Sequence, residues 1–141
     1  MNLKKISFGN FKSLYNVSFE PGKINVFIGA NGSGKSTILE GIGLLSAAMT
    51  DRVDAVSLQR KGVRLCVPTL YKSTFKSIGC LKSTVNFSLE WDVGSSSDIY
   101  QYDVHLMPPT DTECFKYQSE TFFSEWSEIM GAQQQIVQAK Q

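Results

Sequence analysis

No stretch of this sequence is apolar over the roughly 20 residues that a membrane-spanning helix needs, and the opening MNLKKISFGNFKSL has no apolar core of the kind a signal peptide carries. Both absences point to a cytoplasmic protein without a membrane partner. Cysteine is scarce: Cys66, Cys80 and Cys114 stand far apart with no C-x-x-C pair. That argues against a zinc site and a disulfide framework. The only histidine, His105, has no neighbouring ligand set and reads as a core or surface residue. Net charge is also nearly absent, at +1, so bulk charge selects no polyanionic partner.

What the chain does have is enough length, 141 residues, for one domain with one core. Its charge is unevenly spread. Between Asp51 and Lys82 lie seven basic residues, Arg52, Arg60, Lys61, Arg64, Lys72, Lys76 and Lys82, opposed only by Asp51 and Asp54. From Thr84 to Glu128 nine acidic residues face Lys116 alone. The basic stretch, with Tyr71 and Phe75 inside it, reads either as a solvated face or as a grip for nucleic acid.

Hydrophobic patterning gives the elements. Residues 3–8 read as a short strand, and Tyr15, Val17 and Phe19 alternate with polar neighbours as a second one. After the turn signal Pro21-Gly22, the run Lys23–Ile28 is apolar and β-branched, which predicts a strand buried on both faces of a parallel sheet. Ile38, Ile42, Leu45 and Met49 fall at helical spacing and predict a helix from about Lys35 to Met49. Val63–Val67 reads as a strand. Ser83–Trp91 and Ile99–Leu106 read as the two arms of a hairpin. Phe122, Phe123, Trp126 and Met130 fit a helix over 119–130; the aromatics are either core or a surface left bare. The expected division is a strand–loop–helix core over 1–50, a basic segment over 51–82, a hairpin over 83–107 and a helical segment over 108–141.

Between the buried strand and the helix stands Gly29-Ala30-Asn31-Gly32-Ser33-Gly34-Lys35-Ser36, which satisfies the P-loop (Walker A) pattern G-x-x-x-x-G-K-[ST]. Backbone N–H groups can surround a triphosphate only where the chain turns tightly and side chains stay out of the way, which the glycines allow. The loop opens into a helix whose first N–H groups are unsatisfied and carry partial positive charge. Lys35 is expected at the β- and γ-phosphates, and the Ser36 hydroxyl on Mg²⁺. Thr37 either touches the α-phosphate region or is simply a first-turn helix residue. The ligand expected is ATP with Mg²⁺.

The patterns I-x-F-x-N-F-K-S-L (Ile6 to Leu14) and F-x-P-G-K-I-N-V-F-I-G-A-N-G-S-G-K-S-T-I-L-E (Phe19 to Glu40) resemble the start of ABC-class ATPases of the SMC, RecF and OLD type, bacterial members of which are described as AAA-family ATPases. The likeness is dense over residues 1–49 and thin from Gly62 to Lys76. It implies an α/β fold: the N-terminal lobe of a P-loop NTPase, with a parallel core strand, the P-loop helix and an antiparallel β-subdomain. It also implies a place in DNA repair or antiviral defence. The same likeness implies that Lys12 and Ser13 contact phosphates or ribose, the alternative being a solvated turn. It implies that Asn31 orients the γ-phosphate or a water, while Glu40 reads as a surface helix residue.

The class also uses a signature resembling L-S-G-G-Q and a Walker B run of four apolar residues ending in Asp-Glu. Neither pattern occurs in this sequence. Phe87–Asp92 alternates, and Gly94–Ser97 sits in a hairpin. The expectation is therefore a hydrolase completed by a second copy or by a complementary C-terminal lobe, whether the chain is a fragment or one half of a split enzyme. Gln59 and Gln101 are candidate coupling glutamines. The rival readings are a nucleotide-dependent interaction module without turnover and a small P-loop phosphotransferase.

Overall fold

The computed structural model describes residues 1–50, 52–75, 83–94, 98–110 and 114–124. Five strands form one sheet: β1 (Asn2–Phe11), β2 (Leu14–Phe19), β3 (Val85–Asp92), β4 (Ile99–Met107) and β5 (Lys116–Ser124). Their order is β2-β1-β3-β4-β5, and every pairing is antiparallel. The expected hairpin is present, with Val85 opposite Leu106 and Asp92 opposite Ile99. Alternation sets the two faces. Phe8, Phe87, Leu89, Tyr102, Val104 and Leu106 are buried on one, and Ser88, Gln101, Asp103 and His105 are only partly covered on the other. One face packed and one solvated is the ordinary arrangement of an antiparallel sheet.

Helix α1 (Lys35–Thr50) covers the packed face, with Leu44, Leu45, Ala47 and Ala48 in the core. Of the face that the helical spacing picks out, Leu45 lies in the core and Ile38 and Ile42 are half-buried against it, while Met49 at the end is exposed. Small residues let the helix approach closely, and Gly41, Gly43, Ala47 and Ala48 share the buried stripe with Leu44 and Leu45. Gly43 shows the constraint. A Cβ there would lie 2.5 Å from the backbone carbonyl oxygen of Lys61. Gly43→Ala should therefore destabilise the protein by about 1–3 kcal/mol, the usual range for overpacking, although alanine is the better helix former by about 1 kcal/mol. A denaturant melt checks this, and unchanged or increased stability would contradict it.

A short helix, α2 (Ala55–Arg60), follows; its N-cap Asp54 accepts from Ser57 N–H while the Ser57 hydroxyl accepts from Asp54 N–H. The expected strand over Val63–Val67 is not formed. Its backbone groups are used elsewhere: Val63 N–H donates to Leu58 O, Arg64 O accepts from Lys12, and Cys66 N–H donates to the Tyr71 hydroxyl. Pro68 then opens a 3₁₀ turn over Pro68–Tyr71. Among the described residues no helix is long and apolar enough to cross a membrane.

Two further expectations are corrected. Residues 116–124 form strand β5, not the start of a helix. Thr121, Phe122, Phe123 and Tyr117 favour a pleated surface, and pairing with β4 along its length overrides the helical spacing. Trp126 and Met130 lie outside the described residues. Lys23–Ile28 is in no strand, and the described sheet contains no parallel pair. Ile24, Val26 and Ile28 are 87%, 75% and 91% exposed, while Phe27 packs on the Phe19 ring at 5.5 Å between centroids. A strand needs a hydrogen-bonding neighbour, and none of the described strands pairs with this segment.

Candidate nucleotide site

The exposed apolar segment leads straight into the loop Gly29–Gly34, and the loop leads into α1. Gly32 and Gly34 have φ of 81° and 93°, a left-handed backbone that side chains with a Cβ rarely adopt. They turn the chain so that the first helical bond, Ile38 N–H to Gly34 O at 3.0 Å, closes immediately behind the loop. Lys35 bends back over it. Its Nζ donates to Gly29 O at 2.7 Å and Ala30 O at 2.6 Å, and lies 3.4 Å from Ser33 Oγ. Ser36 is exposed at the start of the helix, and no acidic residue occupies the first turn. The early N–H groups of an α-helix have no intrahelical partner. Here they sit beside an ammonium group, with no first-turn carboxylate to oppose an anion.

The Lys12–Ser13 turn, between paired Phe11 and Leu14, lies alongside. The Ser13 hydroxyl donates to Thr37 Oγ1 at 3.2 Å, and a Cβ at Gly34 would be 3.2 Å from Ser13 Oγ. Ser13 and Thr37 are thus brought together at the end of the loop. Lys12 takes a different direction. Its Nζ donates to Glu40 Oε2 at 2.5 Å and to Arg64 O at 3.1 Å, and it lies 5.4 Å and 5.5 Å from the Phe11 and Tyr71 ring centroids. Asn31 is exposed in the loop.

Glu40 does not lie on the helix surface, where its sequence context puts it. It is buried, 3% exposed, and its other carboxylate oxygen accepts from Arg64 Nε. A signal was present: Glu40 stands four and seven residues before Leu44 and Ala47, on the stripe of small and apolar residues that packs inward. Cys66 lies in the same neighbourhood. Burial pushes its thiol up, against the opposing pull of Lys12, so it stays protonated and a weak nucleophile at neutral pH.

The remaining candidates are dispersed. Arg52, Arg60 and Lys61 are exposed, Arg64 is held by Glu40, and Lys76 and Lys82 fall outside the described residues. Gln59 is exposed on α2, and Gln101 donates to Asp103 Oδ2 at 2.8 Å. His105 sits on β4 opposite Asn86 and Ser119. Among the described residues no cluster of histidine, cysteine and carboxylate side chains could hold a metal ion by itself.

The AAA ATPase domain family matches residues 1–121. The chain belongs to this family. Curated relatives share a shorter stretch. The DNA replication and repair protein RecF of Pseudomonas fluorescens (strain Pf0-1) is 43% identical over 53 residues, 37% of this chain and 14% of that protein. RecF of Citrifermentans bemidjiense is 47% identical over 47 residues, 33% of this chain and 13% of that protein. RecF of Chlorobium phaeovibrioides is 54% identical over 43 residues, 30% and 12% respectively. The matches thus span about one seventh of the RecF chains. The resemblance to the SMC- and RecF-like, ABC-class P-loop ATPases is borne out. Of the expected lobe, the described part of this AAA ATPase domain shows the antiparallel sheet with helix α1 packed on it and no parallel pair.

Proposed function

We propose that this AAA ATPase domain binds ATP with Mg²⁺ through Gly29–Ser36, and that hydrolysis follows when a complementary lobe or a second copy brings a Walker B carboxylate pair and a signature segment to it. The observation that carries the reading is the Lys35 ammonium folded over a glycine loop at the N-terminus of α1. An incoming phosphate replaces the Gly29 and Ala30 carbonyls as its partner, and the loop and helix N–H groups take the remaining oxygens. The exposed Ser36 hydroxyl suits a hard, oxygen-seeking cation that keeps most of its own waters. When bound, Mg²⁺ would neutralise charge on the β- and γ-oxygens. Ser13, against Thr37, borders the site on the side of the β1–β2 turn. Ile24, Val26 and Ile28 offer the complementary lobe an exposed apolar segment to pair with. The broader role that fits is nucleic-acid-linked, because the RecF relatives are named for DNA replication and repair. The exposed Arg52, Arg60 and Lys61 give it a charged surface.

The proposal predicts binding without turnover by the chain alone. The loop supplies a phosphate cradle, but the sequence contains no apolar run ending in Asp-Glu to complete the Mg²⁺ shell and orient water. Phosphate release at background is the expected result. Steady turnover at about 1 s⁻¹ or faster, the ordinary enzyme range, and lost in Lys35→Ala would place the missing carboxylate within these residues.

A further inference from the structure

The nucleotide loop accounts for Lys35, Ser36 and Ser13 but leaves a buried carboxylate unexplained. Glu40 stands four residues after Ser36, hence on the same face of α1 and about 6 Å further along its axis. A negative charge so close to a triphosphate opposes its binding, and a buried carboxylate is itself unfavourable unless it is paired. Both disadvantages are answered by one arrangement. Oε2 holds Lys12 and Oε1 holds Arg64, which leaves the trio with a net single positive charge.

The same arrangement joins three pieces of chain. Lys12 belongs to the turn whose next residue, Ser13, meets Thr37 at the end of the loop. Arg64 belongs to the irregular segment that wraps the other side of that turn. There Lys12 N–H donates to Tyr71 O at 2.9 Å, Ser73 N–H donates to Asn10 Oδ1 at 3.1 Å, and the Ser73 hydroxyl donates to Leu14 O at 2.9 Å. Lys12 itself is in the left-handed region, at φ 50°, as the first position of the two-residue hairpin turn between Phe11 and Leu14. Glu40 of α1 grips both neighbours.

We infer that Glu40 is a positioning residue of the nucleotide site: by holding Lys12 and Arg64 it fixes the Lys12–Ser13 turn against the first turn of α1 and ties segment 64–73 to the phosphate loop. The inference rests on the reading of Gly29–Ser36 as that loop. The geometry separates positioning from plain electrostatics by the sign of an effect. Glu40→Gln removes a negative charge near the phosphates, so electrostatics alone would tighten nucleotide binding. Loss of positioning frees the turn and weakens it.

The test is calorimetric titration of Mg²⁺–ATP into the native chain, Glu40→Gln, Lys12→Met, the double variant and Lys35→Ala. Each is measured at a temperature where circular dichroism shows it folded. The expected result is about a tenfold loss of affinity in each of the first two, within the range of couplings between contacting residues. The double variant should bind no worse than either single one, because both changes break the same link. Affinity equal to or tighter than the native chain's in Glu40→Gln, with Lys35→Ala strongly impaired, overturns the positioning role while leaving the phosphate loop in place. A drop in melting temperature with no change in affinity reduces Glu40 to a structural ion pair and overturns it equally. If Glu40→Gln does not fold, Lys12→Met decides, since it leaves Glu40 paired with Arg64; native affinity there refutes the inference. Native affinity in Lys35→Ala shows instead that the loop reading has failed, and the Glu40 assignment falls with it.

Discussion

Replacing Lys35 with alanine is expected to weaken Mg²⁺–ATP binding by about 2–4 kcal/mol, roughly 30- to 1,000-fold in Kd. The upper figure follows from one unit charge at about 4 Å in a surface-like dielectric. The lower one allows for what the free loop already has: the ammonium donates to Gly29 O and Ala30 O, and these bonds must be exchanged for phosphate contacts. The fold should be unaffected, because Lys35 is at the first residue of α1 and, among the described residues, its ammonium bonds lie within the loop. Calorimetry on protein with a native circular dichroism spectrum checks the prediction. Unchanged affinity would remove Lys35 from the site.

The largest effect on stability is expected at Phe8. Its ring is fully buried at the centre of β1, 5.9 Å from Phe87 in an edge contact and 6.4 Å from Phe19 in a stacked one, and it lies against Gly41 of α1. Phe8 therefore joins the hairpin strands, the outer strand and the phosphate-loop helix in one cluster. Phe8→Ala should cost about 3–5 kcal/mol, transfer and cavity terms together. Typical domain stabilities are about 5–15 kcal/mol, so the variant should lie close to unfolding. Its denaturant midpoint should fall sharply, and nucleotide binding should weaken in parallel because α1 loses its seat. A loss below about 1 kcal/mol would mean that the helix does not pack on β1 as described.

How far the sequence could be read follows the range of the interactions involved. The β1 and β2 strands, the β3–β4 hairpin, α1 and the glycine loop are encoded within a few residues of themselves by alternation, helical spacing and the G-x-x-x-x-G-K-S pattern. The errors are non-local. Lys23–Ile28 has the composition of a central strand, yet composition cannot supply its neighbours, and among the described strands it has none. Residues 119–124 have helical spacing but pair with β4, because an open sheet edge satisfies more backbone groups than an isolated turn of helix. Val63–Val67 looks like a strand, but Lys12, Tyr71 and Leu58 take its backbone groups. Glu40 reads as a surface residue because a lone glutamate on a helix usually is one; its partners lie 28 and 24 residues away in the chain.

Whether Gly29–Ser36 receives the phosphates of ATP can be read from the backbone amide signals of isotope-labelled protein as Mg²⁺–ATP is added. Saturable shifts are expected at Gly32, Ser33, Gly34, Lys35, Ser36 and Thr37, with smaller ones at Ser13 across the hydroxyl contact, and no such response in Lys35→Ala. Shifts centred elsewhere on the sheet, or none at millimolar nucleotide on folded protein, would contradict it.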